Sequence, residues 1–132
     1  MENKSRIVNM EKGKLPPQAS ELEEAVVGSI LIDKNAMFEA VEIINENVFY
    51  KESHKIIFEA ANNLFKKNNP IDLLTVSSEL KKMSKLDKIG GDFYLIQLTQ
   101  KISSSAHIDF WCRILLQKYI QRKCISVSSG II

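Results

Sequence analysis

Three observations predict an all-α fold for this chain. Apolar residues recur at i, i+3 and i+4 in one segment after another, as amphipathic helices require. Residues suited to helix N-caps (Ser20, Ser53, Asp72, and Ser103 to Ser105) stand just ahead of those segments. Pro16-Pro17, Pro70 and Gly90-Gly91 fall between them, where a helix has to stop or the backbone has to turn. A length of 132 residues suits one domain. A chain of this size buries roughly two-thirds of its unfolded surface and needs no staples.

The elements follow in order. Residues 1–14 are polar and aperiodic and read as a disordered lead. Pro16-Pro17 enforces extended backbone, and Ser20 with Glu23 forms a capping-box pattern for the first helix. Leu22, Val26 and Ile30 form its stripe, widened by Ala25, Leu31 and Ile32. Gly28 costs this helix about 1 kcal/mol against alanine. It either admits a close neighbour or is simply tolerated. A second helix is expected from about Asn35 to Asn45, followed by Val48, Phe49 and Tyr50 as an apolar plug. Ser53 is the expected cap of a third, built on Ile56, Ile57, Ala60, Ala61, Leu64 and Phe65. That helix ends in Lys66 and Lys67, which suit its negative C-terminus.

Asp72 is the expected cap of a fourth helix, whose inner stripe is Leu73, Val76, Leu80 and Met83. Lys81, Lys82, Lys85 and Lys88 read as a solvated helix end more readily than as a nucleic-acid patch, since no aromatic residue is interleaved with them. A fifth helix spans Asp92 to Lys101 on Phe93, Tyr94, Ile96 and Leu98. The last helix, from Ala106 to about Val127, contains neither Pro nor Gly and is apolar nearly all round. Ile108, Trp111, Cys112, Leu115 and Tyr119 lie on one face, and Phe110, Ile114, Leu116, Ile120 and Ile125 on another. Such a helix must be covered on several sides, so a second subunit, further chain, or both are expected to cover it.

Composition excludes several functions. With 45% apolar and 26% charged residues the chain is typical of soluble globular proteins. No run of about 18 apolar residues offers a membrane span, and the N-terminus lacks the apolar core of a secretory signal; a cytoplasmic location is expected. The net charge is +2, yet residues 15–50 carry seven acids and one lysine, a local charge of −6. That asymmetry suits either a charged partner or ordinary solvated helix faces. Cys112 and Cys124 sit twelve residues apart on one expected helix, about 18 Å and too far for a disulfide. His54 and His107 lack partners at metal-ligand spacing and read as surface or cap residues. There is no GxxxxGK[ST], GxGxxG, HExxH or CxxC, and no nucleophile with a motif around it. No catalytic, cofactor-binding or metal-binding residue is expected.

Several short motifs, taken in order, give the chain an identity. They are Leu15-Pro16-Pro17 with Ser20 and Glu23, then Val27-Gly28-Ser29-Ile30-Leu31-Ile32-Asp33, and Phe49-Tyr50 with His54-Lys55-Ile56-Ile57-Phe58. Pro70-Ile71-Asp72 with Thr75, Ile89-Gly90-Gly91 with Tyr94-Leu95, and Ser105-Ala106 with Ile108 complete the set. Together, from Leu15 onward, they resemble the N-terminal domain of the bacterial replicative DNA helicase of the DnaB family. Trp111-Cys112 and the residues after Tyr50 depart from the family pattern and bear on partner specificity.

The resemblance implies a compact six-helix, orthogonal bundle-like head over residues 15–104. It makes residues 105–132 the first arm of a projecting helical hairpin, truncated before its second arm. It also implies self-association as a dimer, and as a hexameric trimer of dimers in the parent protein. The C-terminal domain of primase and a helicase loader are implied as partners, with DNA bound through a RecA-like motor that uses ATP and Mg2+. The expected subunit or primase interface is Phe110, Trp111, Ile114, Leu115, Lys118, Tyr119 and Arg122. Two other readings are a stand-alone helical adaptor or loader-type protein and a small helical DNA-binding module that uses Lys81 to Lys88.

Overall fold

Asp72 and Gly90-Gly91 mark helix boundaries as predicted, and Ser53 does not. In the computed structural model, described over residues 20–129 (side chains through residue 126), the regular structure is helical and no strand occurs among the described residues. The elements are α1 (Ser20–Ile32), α2 (Ala36–Val41), a 3-10 turn (Glu46–Val48), α3 (Glu52–Lys66), α4 (Leu73–Lys82), α5 (Leu86–Ile89), α6 (Gly91–Gln100) and α7 (Ile108–Ser129). The predicted lead and Pro16-Pro17 lie outside the described residues.

Asp72 caps α4 as predicted: its Oδ1 accepts from the Thr75 amide at 2.9 Å, and Thr75 Oγ1 accepts from the Asp72 amide at 2.9 Å. α3 runs to Lys66 and is followed by Asn68 at φ 58°, a left-handed residue of the kind that ends a helix. Gly90 (φ 109°) and Gly91 (φ 73°) turn the single-turn α5 into α6, at backbone angles that glycine adopts without steric cost.

Four expectations about these elements need correction. α2 stops at Val41, short of Asn45, and the Asn45 side chain instead accepts from the Asn47 amide at 2.9 Å in a local turn, an alternative to continuing the helix. Ser53 does not cap α3, whose N-cap is Lys51 with no side-chain cap bond. On α6 the buried residues are Leu95 and Leu98, both 0% exposed, while Phe93 is 70% exposed and Ile96 is on the surface. α7 begins at Ile108, after Ser104 Oγ and Ser105 O accept from the amides of Ala106 and Ile108.

α1 is the central helix and packs on α2, α3, α4, α6 and α7. Val26, Val27 and Ile30 meet Ile57, Ala60, Ala61, Val76, Leu80, Leu95 and Leu98 in one core. Gly28 permits this arrangement. A Cβ there would sit 2.6 Å from Ile102 Cγ1 and 2.7 Å from the Leu98 carbonyl oxygen, inside van der Waals contact. Of the two readings of Gly28, close approach is therefore the one that holds.

Candidate interaction surface on the last helix

α7 starts as a core helix. Ile108, Cys112 and Leu115 are buried, and the helix packs on α1, α2 and the 3-10 turn. Burial pushes the Cys112 thiol up to about 12, with Asp109 and Glu39 adding to it. Cys112 and Cys124 are both free. Leu115 belongs to the head's core and cannot serve an outside partner, a correction to its place in the expected interface. It is one helical turn beyond Cys112 on the same inward stripe.

The other expected interface residues have different fates. Phe110 is 59% exposed. Trp111 is half-buried with its edge toward the His107 ring, centroids 6.2 Å apart. Ile114, Lys118 and Tyr119 are half-buried. Arg122 is not a free rim residue: its guanidinium donates to the Val48 carbonyl at 2.8 Å and lies 5.3 Å from the Tyr50 ring centroid and 5.9 Å from that of Tyr119. By helical period, residues 110, 114, 117, 121 and 125 share one face. Phe110 and Ile125 are well exposed on it and Ile114 partly so, with the exposed Gln117 and Gln121 between them. Ile120 is exposed on the flank. Beside it a groove of about 460 Å3 runs between α2 and α7, lined by Glu39, Glu42, Ile43, Asp109, Arg113 and Leu116.

A buried polar cluster ties α1, α3 and α6 together through Glu23, His54 and Tyr94, and the sequence reading misses it. Glu23 and His54 are both 0% exposed. His54 Nδ1 and Glu23 Oε1 are 2.7 Å apart, and His54 Nε2 and the Tyr94 hydroxyl 2.6 Å. The Tyr50 and Lys51 amides donate to the same carboxylate at 2.5 and 3.3 Å. Glu23 is therefore no capping-box partner of Ser20. Its oxygens serve the approach to α3, where no local side chain caps. With Nδ1–H donating to the carboxylate, Nε2 accepts from the Tyr94 hydroxyl and the chain of bonds closes. Burial raises the Tyr94 phenol above its ordinary range; Glu24 and Glu23 add to this, and a bond to the Ser53 hydroxyl opposes it. His54 is a core histidine, not a surface or cap residue. The signal was available, since residues 54, 57, 58 and 61 recur at helical spacing on the inner face of α3.

Among the described residues no group of three His, Cys, Asp or Glu could hold a metal ion. No described helix is long and apolar enough to cross a membrane. What the geometry offers is a rigid helical head that carries an exposed, partly apolar helix face. Residues 15–117 match the model of the DnaB-like helicase N terminal domain. The chain belongs to that family. It is 39% identical over 115 residues to the replicative DNA helicase DnaB of Rhodothermus marinus, a match covering 87% of this chain but only 12% of that relative. Its fold superposes on the N-terminal domain of DnaB helicase from Mycobacterium tuberculosis with a TM-score of 0.85 at 27% identity, covering 89% of this chain and 85% of that one. It also superposes on a DnaB-like replicative helicase whose structure was described with its interactions with primase. There the TM-score is 0.75 at 25% identity, over 86% of this chain and 27% of that one. The DnaB-type head is therefore present with its helical order intact.

Proposed function

We propose that this DnaB-type domain is the collar module of a replicative DNA helicase, pairing subunits through α7 and docking primase and the loader. The observation that carries the reading is the outward face of α7, where Phe110 is 59% and Ile125 51% exposed on a helix whose other face packs into the head at Ile108, Cys112 and Leu115. Large apolar side chains so placed are typical anchors of an interface core. In the longer protein the reading calls for, dimers of this domain assemble into a hexamer as a trimer of dimers, in the cytoplasm. A RecA-like motor there binds ATP and Mg2+ and unwinds duplex DNA. These residues hold no phosphate-loop sequence, so the proposal assigns nucleotide chemistry to the motor and cohesion to this domain. The primase-interaction study of the structural relative supports primase as a partner.

Sedimentation velocity at micromolar concentration tests the reading. Dimers or larger species are expected, and Phe110→Ala with Ile114→Ala should shift them toward monomer. A strict monomer with α7 folded would count against pairing through this helix. Titration with the C-terminal domain of primase should then give a saturable complex; no complex with the folded domain would remove the docking role.

A further inference from the structure

We propose that Arg122 is a strap that fixes the direction in which α7 crosses and leaves the head. Among the described residues of α7, the partly buried Leu116 and Tyr119 still pack on the core, but Leu115 is the last that is fully buried. Arg122 stands two turns further on. Its guanidinium donates to the Val48 carbonyl at 2.8 Å while its carbon lies 5.3 Å from the Tyr50 ring centroid and 5.9 Å from that of Tyr119. One ring belongs to the head and the other to α7 itself, so the cation joins the two bodies. Only a planar guanidinium can lie against aromatic faces and still donate in its own plane; an ammonium is a compact point charge without that geometry.

The head side of the strap is rigid for a separate reason. The Tyr50 amide donates to Glu23 at 2.5 Å, and Glu23 is itself bound to His54. The neighbouring Val48 and Phe49 are buried at 2% and 1% exposure. The carbonyl and the ring that receive Arg122 are therefore anchored in α1 and α3, not on a free turn. The strap extends the hold on α7 beyond Tyr119, the last apolar residue that packs on the core, to Arg122, and gives the helix one direction relative to the head. It stands whether or not α7 is an association helix, because it depends only on contacts within the chain.

The test reads direction and local opening separately from folding. Cys124 is exposed and free, whereas the buried Cys112 thiol is held at about 12, so a spin label goes selectively to Cys124. A second label at Lys82→Cys, on an exposed position of α4, reports the angle of α7 against the head. A narrow distance distribution is expected, broadened by Arg122→Lys, Arg122→Ala and Tyr50→Ala and left narrow by Tyr50→Phe. Hydrogen exchange over residues 119–126 should rise about tenfold in the first three variants, the scale expected for losing one charge-assisted bond and its ring contacts. Exchange in α3 and α4 should stay unchanged. The proposal is overturned if Arg122→Lys matches the parent protein in both readouts, or if exchange rises equally in α3 and α4. Arg122→Lys keeps the charge and most of the side chain, so the test holds even if Tyr50→Ala disturbs folding.

Discussion

Glu23→Ala should be among the most damaging single changes in the head. The carboxylate is 0% exposed and is met by three donors: His54 Nδ1 at 2.7 Å, the Tyr50 amide at 2.5 Å and the Lys51 amide at 3.3 Å. Alanine removes every acceptor at once. His54 is also 0% exposed, so no solvent replaces its partner, and a buried donor left unmade costs about 1–3 kcal/mol. The two amides belong to exposed residues and regain water, so they lose less, together about 1 kcal/mol. The vacated side-chain volume adds about 1 kcal/mol more. The expected loss is about 3–5 kcal/mol, a large part of the roughly 5–15 kcal/mol that holds a domain folded. Glu23→Gln keeps the volume and one acceptor but turns an amide NH2 toward a donor, so it should lose about half as much. Urea unfolding followed by circular dichroism measures both. A double-mutant cycle with His54→Ala should show the two losses overlapping by more than about 1 kcal/mol. The reasoning fails if Glu23→Ala loses less than about 1 kcal/mol or if glutamine is as damaging as alanine.

The remaining predictions are shorter. Gly28→Ala gains about 1 kcal/mol in helix propensity but drives a Cβ to 2.7 Å from the Leu98 carbonyl oxygen. A backbone atom yields poorly, so overpacking should win by about 1–2 kcal/mol and lower the melting temperature. Leu115→Ala should cost about 2–5 kcal/mol of stability as a core cavity. Phe110→Ala with Ile114→Ala should instead weaken association more than it lowers thermal stability, and equal losses in both would remove the interface assignment. Asp33 Oδ2 accepts from Ser105 Oγ at 2.5 Å, and this bond, then the Asn35 amide and Lys34, holds its carboxyl below the ordinary value. Its contribution is present above the unfolded value of about 3.9 and is lost as pH falls through the lower folded value. Urea titrations of the parent protein and Ser105→Ala should therefore converge as pH drops below about 4.

What was legible in the sequence is what local chemistry decides. Asp72 and Thr75 are three residues apart, so their reciprocal cap can be read without knowing the fold. The i, i+3/i+4 spacing of Ile56, Ile57, Ala60, Ala61 and Leu64 places the inner face of α3 in the same way. Glu23 shows the limit. Its spacing from Ser20 is that of a capping box, but its partners lie 27 to 31 residues away, and no local rule ranks a distant amide above a near one. Phe93 fails differently. The period of α6 allows either Phe93 with Ile96 or Leu95 with Leu98 to face inward. The choice falls to the pair that includes Leu98, whose carbonyl lies against Gly28, a contact between residues seventy apart in the chain. Arg122 is harder still, because Val48 and Tyr50 lie more than seventy residues away in the chain.

The near-uniform apolarity of α7 has a physical reason that the fold makes plain. Ile108, Cys112 and Leu115 face the head and are buried, while Phe110 and Ile125 face away at 59% and 51% exposure. One helix thus carries two sets of apolar residues, the first fixed by folding and the second the set we propose for partners. Apolar character on a helix is therefore not by itself a sign of an interface, and an average over α7 cannot tell the sets apart. Only the outward set can be removed without opening the core. A variant that strips Leu115 along with Phe110 would lose association and stability together and decide nothing. Arg122 belongs to neither set, since its guanidinium donates to the Val48 carbonyl of the head. Under the two proposals, folding, direction and association fall to successive or opposite residues of the same twenty-two-residue helix, so each can be perturbed alone.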